Sequence, residues 1–289
     1  MSSRFSFGGD EHLFVECDEE MSFAGFFKSL AVMDAIRQSD FPGVSEVCGG
    51  NAAYQVRFDP DQMHADDLLR EICALDEAAE DSKASFDTRI VEVPVCYDDP
   101  WTRPTMMRFR ERHQDPQATD LEYAARVNGY ASVAEFIAAH HGSPWFVSMV
   151  GFVCGVPWIY QMVERARQIQ VPKYVRPRTD TPRHTVGHGG CFTAIYAVRG
   201  AGGYQMFGIT PMPLFEPNGK VSYLREDMVL FRAGDIVKFR PIDQGEYEAI
   251  DAEVQADRYE PNIRPVHFDL AEFERDIDAC NARIMEVLA

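Results

Sequence analysis

The chain has 289 residues, 46% hydrophobic and 26% charged, enough to bury a full core and to form two domains. Its formal net charge of −18 argues against nucleic acid or an anionic membrane surface as partner, because both would repel it. Seven cysteines stand singly with no CxxC pair, which speaks against a disulfide framework or a zinc ribbon and for reduced, mostly buried thiols. The first residues, MSSRFSFGGDE, lack an apolar leader, and no stretch has the length of a membrane span, so a cytoplasmic protein is expected.

Residues 12 to 17, HLFVEC, read as a first strand, and Ser22 caps a helix with Phe23, Phe26, Phe27, Leu30, Met33 and Ile36 on one face. VSEVCG and AAYQVRF read as paired strands, with Ala52, Tyr54, Val56 and Phe58 alternating against polar neighbours. A second helix is expected from about 65 to 80, and RIVEVPV as the next strand. The order is that of a split βαβ module, a two-layer α+β domain over residues 1–93.

From Pro94 the chain changes character. The polar run to Gln117 reads as a loop or a loosely held helix. One helix then starts on an Asp120 cap, and a second starts at Ser132 with Glu135 in capping-box spacing and carries His140 on its apolar face. WFVSMVGF is a strand, GFVCGVPW a glycine and proline turn, and MVLFRAGDIVKFRP two strands around Ala233-Gly234. Short strands with frequent turns predict a closed or nearly closed β-barrel over 94–245. Residues 246–289 read as an acidic spacer followed by a C-terminal amphipathic helix with Leu270, Phe273, Ile277, Ile284 and Leu288 on one stripe.

The densest stretch runs from Lys173 to Pro211. Glycines 187, 189 and 190, then 200, 202 and 203, let the backbone turn or approach a ligand closely. CFTAIYAV and YQMFGI read as a hairpin-like pair of strands. Lys173, Tyr174, Arg178 and Gln205 are placed to converge on a small anion. Around them, six cations (Arg165, Arg167, Lys173, Arg176, Arg178 and Arg183) face one acid, Asp180. Tyr196 alternates inward as a core or ligand-lining residue, and Tyr204 opens a strand where its ring would stack on a flat ligand. His141 ends a helix, where an imidazole caps carbonyls. His184, His188 and Cys191 have zinc-like spacing but no evident fourth ligand, so no metal is expected.

Taken in order, VEVPVCY, the helix ending at His141 with GSPW after it, GFVCGVPW, PRTDTP, Thr193 to Tyr196, GAGGYQ and GITP resemble the allophanate hydrolase subunit 1 family. This is also called the carboxyltransferase subdomain C and D family and includes the B-type subunit of 5-oxoprolinase. The central stretch and the tail, KFRPID through FDLAEF, are most similar to urea carboxylase. The resemblance implies a ferredoxin-like N-terminal domain and a cyclophilin-like barrel. It implies half of a carboxyltransferase site, completed by an allophanate hydrolase subunit 2-type partner. Carboxybiotin would arrive on a biotin carboxyl carrier charged by a biotin carboxylase, and a small acceptor would take the carboxyl group. The chain has no ATP-grasp or biotinyl-lysine region, so ATP and biotin would belong to partner chains. The implied catalytic residues are Lys173, Arg178 and His141, the last matching the family's recurrent histidine. The implied substrate-binding residues are Tyr174, Gly189, Gly190, Tyr196, Tyr204, Gln205 and Thr210, with no metal required. Departures from the pattern include Ile209, where urea carboxylase-like sequences carry Arg, and His188 in a usually aliphatic place. In the 5-oxoprolinase-like pattern, Cys154, Gly155 and Val156 replace a Pro-Gly-Phe turn and Phe192 replaces Gln. Two other functions fit the resemblance: a subunit of an ATP-dependent 5-oxoprolinase, and a non-enzymatic inhibitor of a sensor kinase.

Overall fold

The computed structural model describes residues 3–79 and 85–289. It divides into two compact units: residues 1–86 with 268–275, and residues 87–267 with 276–289. Within the first unit, β1 (Arg4–Phe7) and β2 (His12–Glu16) precede helix α1 (Phe23–Ser39); β3 (Val44–Gly50) and β4 (Ala53–Phe58) precede α2 (Ala65–Ala79). The last residue of the second expected helix, at 80, lies outside the described residues. Strand order is β1-β2-β4-β3, antiparallel throughout. Leu13 and Val15 of β2 and Tyr54, Val56 and Phe58 of β4 form one buried face, against Val32, Met33 and Ile36 of α1 and Leu68 and Ile72 of α2. The alternation of β4 dictates this, because a strand with one face on a helical layer buries every second residue. Ser22 caps α1 through its hydroxyl, which accepts from the Gly25 N–H at 3.0 Å.

The strand expected to complete that module does not. RIVEVPV lies in β5 (Ser85–Tyr97), a strand of the larger sheet, and the small sheet instead gains β1 from the N-terminal residues. The expected domain boundary at 93 falls within β5. Three helices follow: α3 (Arg103–Arg108), α4 (Asp120–Val127) and α5 (Val133–Gly142). Then come strands β6 (Trp145–Val150), β7 (Pro157–Gln161), β8 (Arg178–Thr181), β9 (Thr185–Gly189), β10 (Phe192–Ile195), β11 (Gly200–Gly202), β12 (Gln205–Ile209) and β13 (Ile236–Pro241). The chain ends with α6 (Gln244–Gln255), β14 (Ile263–Asp269), α7 (Leu270–Arg275) and α8 (Ile277–Glu286). The large sheet runs β12-β9-β10-β7-β6-β13-β5-β14, and β12 also pairs with β5, so seven of its strands close into a ring. Trp145, Val147, Ile159, Phe207 and Phe239 belong to one buried core of this sheet. Among the described residues, no helix is long and apolar enough to cross a membrane.

Four readings change. CFTAIYAV and YQMFGI are not partners, because β10 and β12 both pair with β9 and flank it. Only the second half of MVLFRAGDIVKFRP is a strand; Val229 makes a single bridge, to Phe215. The acidic spacer contains a helix, α6, started by Asp243, whose carboxylate accepts from the Glu246 N–H at 2.8 Å. The C-terminal stripe is split into α7 and α8, because Asp276 takes an extended conformation and caps a new helix at Ala279.

Ring closure depends on a glycine. A Cβ on Gly208 would lie 2.4 Å from the Cys96 carbonyl oxygen and 2.9 Å from the Tyr97 Cα, backbone atoms of the strand that β12 closes against. Gly208→Ala is therefore expected to destabilise the protein by about 1–3 kcal/mol as the two strands are forced apart. A urea melt reads this as a lower midpoint.

Candidate active site

Arg178 opens β8, a short strand that pairs with β11 apart from the large sheet. Its side chain is fully buried. Nε donates to Thr181 Oγ1 at 3.3 Å, and the guanidinium carbon lies 4.6 Å from the centre of the Tyr174 ring. Nη1 and Nη2 make no hydrogen bond of good geometry, although the Tyr196 hydroxyl lies close enough to interact with the guanidinium, and among the described residues no carboxylate pairs with them. A buried guanidinium in this state is a candidate site for an anion, since an unpaired charge out of water costs several kcal/mol.

Tyrosines and glycines shape the space around it. Burial pushes the Tyr196 phenol up, and the nearby Arg178 charge opposes that rise. A Cβ on Gly202 would meet the Tyr196 hydroxyl at 2.3 Å, and one on Gly189 would meet the Tyr204 ring at 2.5 Å and Lys173 Cγ at 2.9 Å. Both glycines thus make room for tyrosine rings. Tyr204 is buried with its hydroxyl unpartnered, its ring 5.7 Å from Trp158 and 5.3 Å from the exposed Lys173 ammonium. The amide of Tyr204 points at the Tyr196 hydroxyl, 3.4 Å away.

Beneath Arg178 a polar network fixes Tyr174. Asp120 is fully buried; its Oδ1 accepts from the Tyr174 hydroxyl at 2.7 Å and from Arg110, and its Oδ2 accepts from the Met206 N–H at 2.7 Å. The edge of His113 meets the same tyrosine ring at 4.7 Å. His113 Nδ1 accepts from the Asp115 N–H, so Nε2 donates to Gln205 Oε1 at 2.8 Å, while Gln205 Nε2 donates to the Pro172 carbonyl at 2.7 Å. Burial, followed by the charge of Arg110, holds the His113 imidazole down. Both ends of the Gln205 amide are therefore used inside the protein.

Inside the ring of strands lies a second polar network. His188 Nε2 faces two carbonyls, of Ile169 at 3.0 Å and Gly190 at 3.1 Å, and must carry the proton. Its Nδ1 then accepts from the Thr193 hydroxyl at 2.8 Å. The Thr193 oxygen in turn accepts from His140 Nε2 at 3.0 Å, and His140 Nδ1 accepts from the Tyr97 hydroxyl at 2.8 Å. Each assignment forces the next. Both imidazoles are neutral: burial pushes His188 down to about 4 and His140 well below its ordinary value.

Residues 3–224 match the family described as carboxyltransferase domain, subdomain C and D. The chain belongs to this family. It is 35% identical over 179 residues to the B-type 5-oxoprolinase subunit of Bacillus subtilis, covering 62% of this chain and 63% of that protein. It is 25% identical over 278 residues to the urea amidolyase of Saccharomyces cerevisiae, covering 94% of this chain and 15% of that one. The crystal structure of Kluyveromyces lactis urea carboxylase superposes with a TM-score of 0.83 at 20% identity over 98% of this chain and 26% of that one, a likeness of fold. The chain thus spans less than two thirds of each of these proteins. As a carboxyltransferase-domain chain it has a mixed α+β fold with several sheets, similar to that of urea carboxylase.

The structure brings Arg178, Tyr174, Tyr196, Tyr204, Lys173 and Gly189 of this carboxyltransferase-domain chain into one neighbourhood. Gly190 turns the chain at a φ of 65° and takes the Val171 carbonyl in a β-bridge. His141, half-buried, offers its carbonyl to Lys238, and its ring lies 6.4 Å from Tyr97; no contact links it to Arg178. Thr210 Oγ1 accepts from the Met212 N–H at 3.2 Å and holds the following turn. Sequence reading missed Asp120 as a site residue by giving it the helix cap. The cap is Thr119, in a capping box with Glu122, and that spacing in ATDLE was the available signal.

The neutral histidines set a pH dependence. A His whose folded pKa is depressed gives its full stability above the unfolded value of 6.5, and that contribution is lost as pH falls toward about 4. Between those limits His188 alone should cost roughly 1.4 kcal/mol of stability per pH unit. Melting temperature is expected to fall between pH 6.5 and 5, with a shallower slope in His188→Leu.

Proposed function

We propose that this chain is one half of a biotin-dependent carboxyltransferase, passing a carboxyl group from carboxybiotin to a small acceptor in a site completed by an allophanate hydrolase subunit 2-type partner. The observation that carries this reading is the fully buried guanidinium of Arg178, which has no carboxylate partner among the described residues, packed among tyrosines whose rings take up the space that Gly189 and Gly202 leave. The residues present fit the implied group: a fixed cation for a carboxylate or ureido oxygen, and flat aromatic walls for a bicyclic ring. When bound, biotin would supply the carboxyl group.

This chain's residues do the holding. Arg178 binds the anionic oxygens through its paired Nη donors, and Tyr174, pinned by Asp120, keeps the guanidinium from turning away. Lys173 adds a second, solvent-facing cation at the Tyr204 ring, and the buried Tyr204 hydroxyl offers one more donor. Biotin carboxyl carrier, biotin carboxylase and ATP would belong to partner chains in a cytoplasmic complex, and this chain alone would be inactive. The two units are read as a ferredoxin-like domain and a cyclophilin-like barrel.

Two measurements on Arg178→Met test the reading. Removing an unpaired buried charge is expected to raise the stability of the isolated chain by about 1 kcal/mol or more. The same change should lower carboxyl transfer in the reconstituted complex by at least about 100-fold. A purely structural arginine would give the opposite stability result.

A second reading rests on the 35% identity to the Bacillus 5-oxoprolinase subunit: with a partner subunit and ATP, the same niche would hold a lactam carboxylate. ATP-dependent consumption of 5-oxoproline without biotin decides for it. A stable sensor-kinase complex with neither activity would mark a regulatory protein.

A further inference from the structure

Four arginines gather on the surface of the second unit, apart from the buried guanidinium of Arg178. Arg108 ends α3, Arg112 ends the single 3-10 turn Arg110–Arg112, Arg176 stands in the loop before β8, and Arg199 directly precedes β11. Contacts make them one group. Arg108 and Arg199 both donate to Asp180, Arg199 through two hydrogen bonds of 2.7 and 2.8 Å. The guanidinium carbons of Arg108 and Arg112 lie 4.8 and 5.1 Å from the centre of one ring, that of Phe109. Arg112 Nη1 donates to the Pro177 carbonyl at 3.1 Å, and the Arg112 carbonyl accepts from the Arg176 N–H at 3.5 Å.

Charge is not balanced there. One carboxylate serves two guanidiniums, and among the described residues Arg112 and Arg176 pair with none. Even counting Glu111, on the same turn as Arg112, an excess of positive charge remains. In a chain of net charge −18 such a group is an exception, and further anions would relieve the mutual repulsion of its members.

The chemistry of this surface selects among anions. Guanidinium forks match carboxylates in bidentate geometry, as Arg199 does on Asp180. Apolar side chains stand beside them: Val175, next to Arg176, is 70% exposed, and Met107, next to Arg108, is 52% exposed. Arginine together with exposed apolar side chains is the make-up of a protein interface. A long phosphate polymer would gain nothing from Val175 and would be repelled by the rest of the chain.

We propose that this four-arginine surface docks an acidic segment of a partner protein, its carboxylates held by the arginine forks and an apolar side chain seated on Val175. The surface is made of exposed groups outside the niche, so the proposal stands apart from the reaction the niche serves.

The probe is a synthetic peptide of one leucine flanked on each side by four glutamates, titrated into the full chain at low salt and followed by NMR of backbone amides and arginine Nε–H groups. Saturable binding is expected, with shifts at Val175 and the four arginines, weakening by about tenfold or more between low and physiological salt. The same peptide with glutamate in place of leucine should bind about threefold less tightly. Arg176→Gln should weaken binding by about threefold and Val175→Ser by a similar factor; both side chains are exposed, so the melting temperature should hold. Arg178→Met, which removes the charge of the niche, should leave the affinity within about twofold. The absence of saturable shifts, or shifts confined to other residues, overturns the proposal. So does full affinity in both Arg176→Gln and Val175→Ser. A short DNA duplex that binds as tightly would make this a nucleic-acid surface, and loss of peptide binding in Arg178→Met would place the peptide in the niche; either result overturns it.

Discussion

A guanidinium taken out of water must be compensated, and much of the second unit is arranged around one that is not. The contact of Arg178 with the Tyr174 face is worth about 0.5–2 kcal/mol, and a single hydrogen bond to Thr181 adds about 1. Together these fall short of the several kcal/mol that sequestering a cation costs. The chain therefore carries a deficit that a bound anion would remove. Such a deficit persists in a folded protein only where the surrounding structure is stable enough to impose it, as the closed sheet and the Asp120 network are here.

The buried charge beside Arg178 is paired. The buried cation–carboxylate contact in this region, Arg110 with Asp120, is paired and further bonded to Tyr174 and the Met206 amide. The two imidazoles inside the ring of strands are held neutral and hydrogen-bonded from Tyr97 to the Ile169 and Gly190 carbonyls. At His188, Thr193 and two carbonyls satisfy both ring nitrogens. A polar residue in a core is tolerated when each of its groups is bonded, and this one is. The field of Arg178 is thus not diluted by a second unpaired cation in the same core.

How much of this could be read beforehand follows from the range of each interaction. The Ser22-capped helix, the alternation through Ala52, Tyr54, Val56 and Phe58, and the glycine-rich stretch are local patterns, and they stand in the structure. The strands that changed partners did so for non-local reasons. RIVEVPV is apolar on both faces, as a strand of a closed sheet must be, and its partners, β13 and β12, lie over a hundred residues away. CFTAIYAV and YQMFGI look like a hairpin because only five residues separate them, but β9 lies between. Arg178 was legible as a cation in a glycine setting; its burial was not, since nothing local distinguishes it from Arg176, which is exposed. Asp120, Arg110 and His113 were invisible as a group, because they meet only when α4, the polar run before it and β12 are folded together.

The departure at Ile209 bears on the acceptor. Its side chain is buried in a small apolar cluster with Cys96 and Ile242, so the position at which the resemblance leads one to expect an arginine is here part of the core. An arginine introduced there would lose its solvation among apolar groups and disturb the closure of β12 on β5. Under the proposed function, no buried cation at position 209 would take part in holding an acceptor. What remains near Arg178 is Lys173 at the surface, tyrosine rings and glycine backbone. If the proposed function holds, such surroundings would select by shape and by hydrogen bonding to a planar ligand more than by net charge.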